Sequence, residues 1–334
     1  MIPRRVLIAE GRSFSLAAAQ QLSGAGFLVT LADLNRAELK EALATAHILW
    51  VRLRTRIDAD LLRAAPDLRC IVTATTGLNH IDEGAAAARG IRILCLRGET
   101  EFLKNVHATA EHTVALMLAL IRKLPGAAWR AARGGWDRDR FRGIELFGKT
   151  VGIVGYGRVG RMVAGLVEAF GSSVVACDPC LRNGPGGNGI GSVPLHQLLR
   201  QSDLVSIHAN LIPRTAGFFG QRQFHAMKPE AFLINTARGE LLDEAALLEA
   251  LAAGRIAGAA LDVLSGERSA GMSEHPVVRY AKRHSNLLIT PHIGGCTAES
   301  MEMTERFLAE RLCREFAPAG KAPVEYAGLV APAV

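Results

Sequence analysis

Aromatic side chains make up only 5% of the sequence, and they are not interleaved with basic residues. There is also no basic tail. Lys+Arg 39 against Asp+Glu 32 leaves a net charge of +7, but the positive residues are scattered and most are arginine. This distribution argues against a nucleic-acid partner and fits acidic small substrates. Long hydrophobic runs are missing too. The longest nearly apolar stretch, HTVALMLALI, is too short to span a bilayer and reads as a buried helix, so no membrane partner is expected. The opening MIPRRVLIAEG runs straight into a short apolar segment without a leader's hydrophobic region and cleavage site. The six cysteines, at 70, 95, 177, 180, 296 and 313, do not form a secreted disulfide framework. Reduced thiols and a cytoplasmic chain are the expectation. Cys177 and Cys180 make a single C-x-x-C at a strand end, which lacks the further ligands a zinc site needs, so no metal is expected. No fixed-period repeat is present.

What is there is the composition of a packed α/β protein: 49% hydrophobic residues, with Gly 34 and Pro 13 over 334 residues. That length suits two ordinary domains or one large one. Short apolar runs (RVLIA, FLVTLA, HILWVRL, CIVTAT, RILCL) alternate with helical patterns over the first hundred residues. A second such series has strands expected near 151–154, 173–177, 203–207, 231–234, 257–261 and 286–289. Strands separated by helices predict parallel sheets covered on both faces. Residues 108–124 carry the strongest helical pattern, and RAARGGWDRDRFRG after it reads as a loop or short-helix segment. RNGPGGNGIGS, 182–192, reads as an exposed, mobile loop. Residues 297–316 read as an amphipathic helix opened by TAES, at capping-box spacing, and the residues after it as an extended, loosely held end.

VGIVGYGRVGR sets Gly155, Gly157 and Gly160 at G-x-G-x-x-G spacing, after an apolar strand and at the start of a helix. In that context the first glycine permits a tight turn. The second lets a pyrophosphate approach the backbone, and the third lets helix and strand pack closely. The helix start then offers N–H groups to the anion. Asp178 follows at the end of the next strand, eighteen residues beyond Gly160. A carboxylate there accepts from ribose hydroxyls and repels a 2′-phosphate, which predicts NAD rather than NADP. Arg182, close by, is the residue that could soften this preference.

Three more ionisable residues stand at expected strand ends: Arg238 in NTARGE, Glu267 in LDVLSGE and His292 in TPHIGG. Loops at the carboxyl ends of an open α/β sheet converge on its crevice. Hydride removal from a hydroxyl-bearing carbon requires a group to take the hydroxyl proton, and histidine suits that task near neutral pH. A glutamate beside it orients the ring, and an arginine fork binds a carboxylate or the reacting carbonyl. Singly, each has a duller reading as solvent cover, surface charge or turn filler. A closing two-domain cleft would exclude water.

With these motifs in place, the chain resembles the D-isomer-specific 2-hydroxyacid dehydrogenase family, over nearly its whole length, and within it the D-3-phosphoglycerate dehydrogenase-like members. The resemblance implies a Rossmann-type nucleotide-binding domain at 108–297, inserted in a flavodoxin-like substrate domain formed by 1–107 plus 298–334. It implies catalytic roles for Arg238, Glu267 and His292, and cofactor contacts from Tyr156, Arg158 and Val159 in the glycine turn. Further cofactor contacts are implied for Thr109, His208, Thr215, Thr236, Ala237, Arg238, Asp262, His292 and Gly294. TATTGLNHID resembles the loop that receives the substrate carboxylate, around Thr76, Gly77 and Asn79. Pairing into a homodimer through the nucleotide domain is implied as well.

The chain also departs from the family pattern. Glu267 lacks the proline that usually follows, Asn210 stands where a proline is common, and RGETEFLKNVHATAEHT is long. The resemblance carries no expectation of serine feedback through the additional regulatory domain of longer phosphoglycerate dehydrogenases.

WVRLRTRID holds Arg52, Arg54 and Arg56, in the region where phosphoglycerate dehydrogenases bring arginines to a substrate phosphate. A basic solvated loop is the alternative. The lead substrate pair is therefore 3-phosphoglycerate and 3-phosphohydroxypyruvate. Glyoxylate, hydroxypyruvate, a bulkier 2-oxo acid and phosphite stay open. A reading of another class is an NAD-sensing corepressor-like binding protein, against which the retained Arg238, Glu267 and His292 argue.

Overall fold

The computed structural model describes residues 4–181, 191–267 and 271–317, and the backbone of 327–329. The chain divides into two compact units: Met1–Asn105 with Thr297–Val334, and Val106–Cys296.

The first unit is built on a six-stranded sheet in the order β12-β2-β1-β3-β4-β5. Its strands are β1 (Arg5–Ile8), β2 (Leu28–Leu31), β3 (Ile48–Val51), β4 (Cys70–Thr73), β5 (Arg92–Cys95) and β12 (Ala327–Leu329). Every pairing in it is parallel. Its helices are α1 (Leu16–Gly24), α2 (Arg36–Ala42), α3 (Ala59–Arg63), α4 (Glu83–Ala88), α5 (Thr100–Leu103) and α13 (Ala298–Phe316). Alternation along the strands sorts the core. Leu7, Leu49, Val51 and Ile71 pack with Leu39, Leu61 and Leu62 of α2 and α3. On α13, Leu308, Ala309 and Leu312 are fully buried, and the helix packs on α1. Removing a buried leucine of this kind costs about 2–5 kcal/mol.

The second unit has a six-stranded sheet in the order β11-β10-β9-β8-β6-β7. Its strands are β6 (Thr150–Val154), β7 (Ser173–Cys177), β8 (Leu204–Ile207), β9 (Phe232–Asn235), β10 (Gly258–Leu261) and β11 (Leu287–Ile289), again all parallel. Its helices are α6 (Ala108–Ile121), α7 (Leu124–Ala131), α8 (Arg158–Ala169), α9 (Leu195–Gln201), α10 (Gln221–Ala226), α11 (Glu244–Ala252) and α12 (Pro276–Ala281). Successive residues of one strand feed opposite cores. Leu233 and Ala259 face α10 and α11, while Ile234 and Ala260 face α6 and α8. Such near-continuous apolar strands are what a sheet covered on both faces requires. The architecture is thus α/β with two parallel sheets: a Rossmann nucleotide-binding fold in the second unit and a flavodoxin-like fold in the first.

Three local expectations are corrected. The helix expected to run to 124 stops at Ile121, because Lys123 is left-handed (φ 54°) and Pro125 opens α7. The TAES segment makes half of a capping box: the Thr297 hydroxyl accepts from Ser300 N–H, and the acid stands one position early for the return bond. Helices α3, α4, α5 and α12 were not separately anticipated. The glycine-rich 182–190, part of the loop expected to be mobile, and the chain end apart from 327–329 lie outside the described residues. Among the described residues, no helix is long and apolar enough to cross a membrane.

Candidate active site

In the second sheet the strand order reverses between β6 and β8, and ligands of such sheets bind beyond the carboxyl ends at that reversal. Gly155 follows β6 with φ 92°, and an added Cβ would lie 2.6 Å from the His208 backbone at the end of β8. At Gly160 an added Cβ would strike the Gly155 carbonyl at 2.2 Å, so this glycine sets the close approach of α8 to the turn. At Gly157 nothing lies within 4 Å, which leaves open space beside the first turn of α8. The three glycines therefore do three different things, and the open one is where an anion would approach.

Asp178 stands beside this turn at the end of β7. Its Oδ2 accepts from Tyr156 N–H at 2.7 Å and its Oδ1 from Cys180 N–H at 2.7 Å. The carboxylate is thereby oriented, with lone pairs left for ribose hydroxyls. Tyr156 contributes its backbone here, since its ring is buried under the Arg161 guanidinium and burial pushes its phenol up. Arg158 donates to the Val106 carbonyl at 3.1 Å, and burial lowers its pKa. Val159 is half-buried and packs on the core. Burial drives the His208 imidazole down to about 4, so it is neutral at pH 7, and its Nε2 pairs with Ser206 Oγ at 2.9 Å. Thr215 uses its hydroxyl within its own turn, toward the Asn210 and Ile212 carbonyls. Thr113 donates to the Thr109 carbonyl, so the Thr236 hydroxyl donates to Thr113 at 2.8 Å, tying the end of β9 to α6.

The structure brings Glu267 and His292 together. Nδ1 of His292 lies 2.6 Å from Glu267 Oε1, and Glu267 Oε2 accepts from Leu264 N–H at 3.2 Å. Both side chains are about one-fifth exposed, at 21% and 17%. Nε2 of His292 has no hydrogen-bond partner among the described residues, so one face of the ring is held and the other is open. His292 also has φ 55°, a conformation that a non-glycine residue holds only when its surroundings impose it.

Asp262 supplies that constraint. Its Oδ1 accepts from Thr290 Oγ1 at 2.6 Å and Ile293 N–H at 2.9 Å, and its Oδ2 from Gly294 N–H at 2.7 Å. Its backbone carbonyl accepts from His292 N–H at 2.8 Å. The carboxylate is 1% exposed and braces the loop that carries His292. A Cβ at Gly294 would lie 2.9 Å from Asp262 Oδ2, which explains the glycine.

Arg238 lies at the end of β9. Buried Asn235 bonds Ala237 N–H and the Arg238 carbonyl, shaping that turn. Nη1 of Arg238 reaches the Ala237 carbonyl at 2.6 Å. The adjoining Gly239 touches the Glu267 loop, since a Cβ there would meet Leu264 C at 2.1 Å. Arg238 thus borders the segment that leads to Glu267.

Several supporting residues were not anticipated. His112 of α6 approaches Asp262 Oδ1 at 3.2 Å and Thr290 Oγ1 at 3.1 Å through Nε2. Glu244 accepts from Ser265 N–H at 2.7 Å, and the Ser265 carbonyl bonds His275 Nε2 at 3.1 Å, so the Glu267 loop is gripped on both sides. Burial raises the Glu244 carboxyl. His112 was visible on the 108–124 helix, but no local spacing linked it to Asp262.

In the first unit, Thr76 and Asn79 are exposed in the loop after β4, with Gly77 half-buried between them. The Thr75 hydroxyl donates to the Gly77 carbonyl at 2.8 Å, and buried His80 bonds Thr73 below it. The N–H groups of Thr76, Gly77 and Asn79 have no partner among the described residues. Successive free N–H groups of this kind form an anion-receiving concavity. Arg52 and Arg54 follow β3, and both are engaged by carboxylates: Arg52 by Glu305 and Arg54 by Asp33 at 2.6 Å. Burial raises the Glu305 carboxyl despite the facing Arg52. Among the described residues no group of three His, Cys, Asp or Glu is placed to hold a metal ion.

Comparison with known proteins matches the second unit to a family. The NAD binding domain of the D-isomer specific 2-hydroxyacid dehydrogenases matches residues 114–294. The chain belongs to that family. D-3-phosphoglycerate dehydrogenase of Mycobacterium bovis is 38% identical over 289 residues, covering 85% of this chain and 52% of that protein. The chain therefore spans about half the length of the curated relatives it matches. A solved protein of Thermus thermophilus, TT0316, is 34% identical with TM-score 0.78, covering 92% of this chain and 95% of that one. Aquifex aeolicus D-lactate dehydrogenase, solved with NAD and lactic acid, is 25% identical with TM-score 0.78, covering 92% and 94%.

Proposed function

We propose that the chain is an NAD-dependent oxidoreductase that interconverts a D-2-hydroxy acid and its 2-oxo acid. The observation that carries this reading is the His292–Glu267 pair, with Nδ1 held at 2.6 Å and Nε2 free. Glu267 fixes the ring through its Nδ1. Nε2 then gives a proton to the carbonyl oxygen on reduction and takes it back on oxidation. Arg238 offers a fork to the same oxygen or the neighbouring carboxylate. Within the first unit, the free N–H groups of Thr76, Gly77 and Asn79 fit a carboxylate. Nicotinamide, when bound, supplies or accepts the hydride. The turn made by Gly155 and Gly160, with its open side at Gly157, fits the dinucleotide's pyrophosphate, and Asp178 fits an unphosphorylated ribose, which is the ground for NAD over NADP.

Two substrate readings divide on one feature. The M. bovis relative's name and the run Arg52, Arg54, Arg56 favour 3-phosphohydroxypyruvate. The engagement of Arg52 and Arg54 by Glu305 and Asp33 favours a short unphosphorylated acid. For assembly, a homodimer through the second unit is the proposal. Trp129, Trp136 and Phe147 there are 58%, 89% and 73% exposed, an apolar display that a second copy would cover.

The test is NADH oxidation by the wild-type chain against pyruvate, glyoxylate, hydroxypyruvate and 3-phosphohydroxypyruvate. Turnover of at least one is expected. Tight NADH binding without turnover of any would replace this reading with that of a dinucleotide-sensing binding protein.

A further inference from the structure

The first sheet also reverses its strand order, between β1 and β3, and the loops after those strands are tied together from inside. Arg52 places four of its five N–H groups. Nε and one Nη2 hydrogen hold Oε1 of Glu305 at 3.0 and 2.5 Å. Nη1 donates to the Arg12 carbonyl at 2.9 Å, and the other Nη2 hydrogen to the Ser13 carbonyl at 3.1 Å. Ser13 is left-handed at φ 58°, so this bond secures a conformation the loop would not favour alone. Glu305 is 1% exposed, and its Oε2 accepts from Ser15 N–H at 2.8 Å, at the start of α1.

Resting on the dehydrogenase reading above, we infer that Glu305 is a specificity-determining residue. By neutralising Arg52 from within α13, it restricts the subsite at the end of β3 to 2-oxo acids whose tail carries no second anion. The reason is competition. A phosphate that displaced Glu305 from Arg52 would strand a buried carboxylate with one N–H partner. A phosphate that bound beside Glu305 would set two anions against one guanidinium. The neighbouring cations offer little relief. Arg54 bonds Asp33 at 2.6 Å and the Leu34 carbonyl at 3.0 Å, and Arg12 pairs with the same Asp33 at 3.3 Å. Among the described residues of this loop, Arg56 alone has no ion pair, and it is exposed.

The experiment compares kcat/KM for hydroxypyruvate and 3-phosphohydroxypyruvate, which differ by the phosphate, in wild type, E305Q and the double variant R52Q/E305Q. Wild type is expected to favour hydroxypyruvate. E305Q keeps an oxygen for Ser15 N–H while removing the charge. It is expected to raise the phosphorylated-to-unphosphorylated ratio roughly tenfold or more. The double variant is expected to lose that gain. A wild-type preference for the phosphorylated acid overturns the inference even if E305Q fails to fold, and so does an unchanged ratio in folded E305Q. Turnover of neither acid would be a failure of the dehydrogenase reading. Calorimetric titration with 3-phosphoglycerate against D-glycerate then decides the specificity claim. Gain of binding for the phosphorylated acid in E305Q supports it, and absence of that gain overturns it.

Discussion

Each of the two sheets places an ionisable residue just beyond a strand's carboxyl end, and the two are treated in opposite ways. In the second unit, the loop after β11 holds His292 by its Nδ1 and by the Asp262 network and leaves Nε2 free. In the first unit, the loop after β3 holds Arg52 by four N–H groups and leaves one. Position at a strand's carboxyl end therefore marks where a ligand group can stand. Whether the group is available depends on partners that lie far away in the chain.

The sharpest way to break this contrast is to remove the free nitrogen. H292A is expected to keep NADH binding, read by fluorescence titration, and to lose turnover by roughly 10²-fold or more; unchanged turnover would end the proton-transfer role. Next is the brace. D262A strips acceptors from Thr290, Ile293 and Gly294 and is expected to cost about 2–4 kcal/mol in denaturant unfolding, with a fall in turnover. A stable, fully active D262A would mean the strained loop needs no brace. A smaller effect is expected at the cofactor end. D178A should weaken NAD far more than NADP, and equal losses would argue against a ribose contact.

The mildest concerns pH. Burial lowers His208 to about 4, so between its ordinary value of 6.5 and about 4 the unfolded chain binds the extra proton. Stability should therefore fall with acidification through that window, and H208Q should flatten the fall. An unaltered acid limb in H208Q would show that His208 is not desolvated in solution.

Much of the frame was legible as local pattern. The apolar strands, the spacing of Gly155, Gly157 and Gly160, and Asp178 one strand later are short-range features with a direct physical reading. His292 after Pro291 was legible as a group at a strand end, though its left-handed backbone was not. What stayed hidden were partners brought close by the fold: Glu305 lies 253 residues from Arg52, and His112 lies 150 from Asp262. No period or spacing connects such pairs, and a buried glutamate on an amphipathic helix looks like any surface acid until its face is known. The break at Lys123 had a signal, because Pro125 has no N–H for a continuing helix and its ring would meet the carbonyl four residues back, at Ile121, but the strong apolar pattern of α6 masked it.

The account stands on Glu267 and His292 acting as one unit. Single-turnover hydride transfer from NADH to hydroxypyruvate, or to whichever 2-oxo acid the panel selects, tests this most directly in wild type and E267Q. The account predicts that E267Q binds NADH as wild type does and transfers hydride roughly tenfold or more slowly, because the ring loses the carboxylate that holds its Nδ1 in place. Equal transfer rates in the two proteins would contradict it.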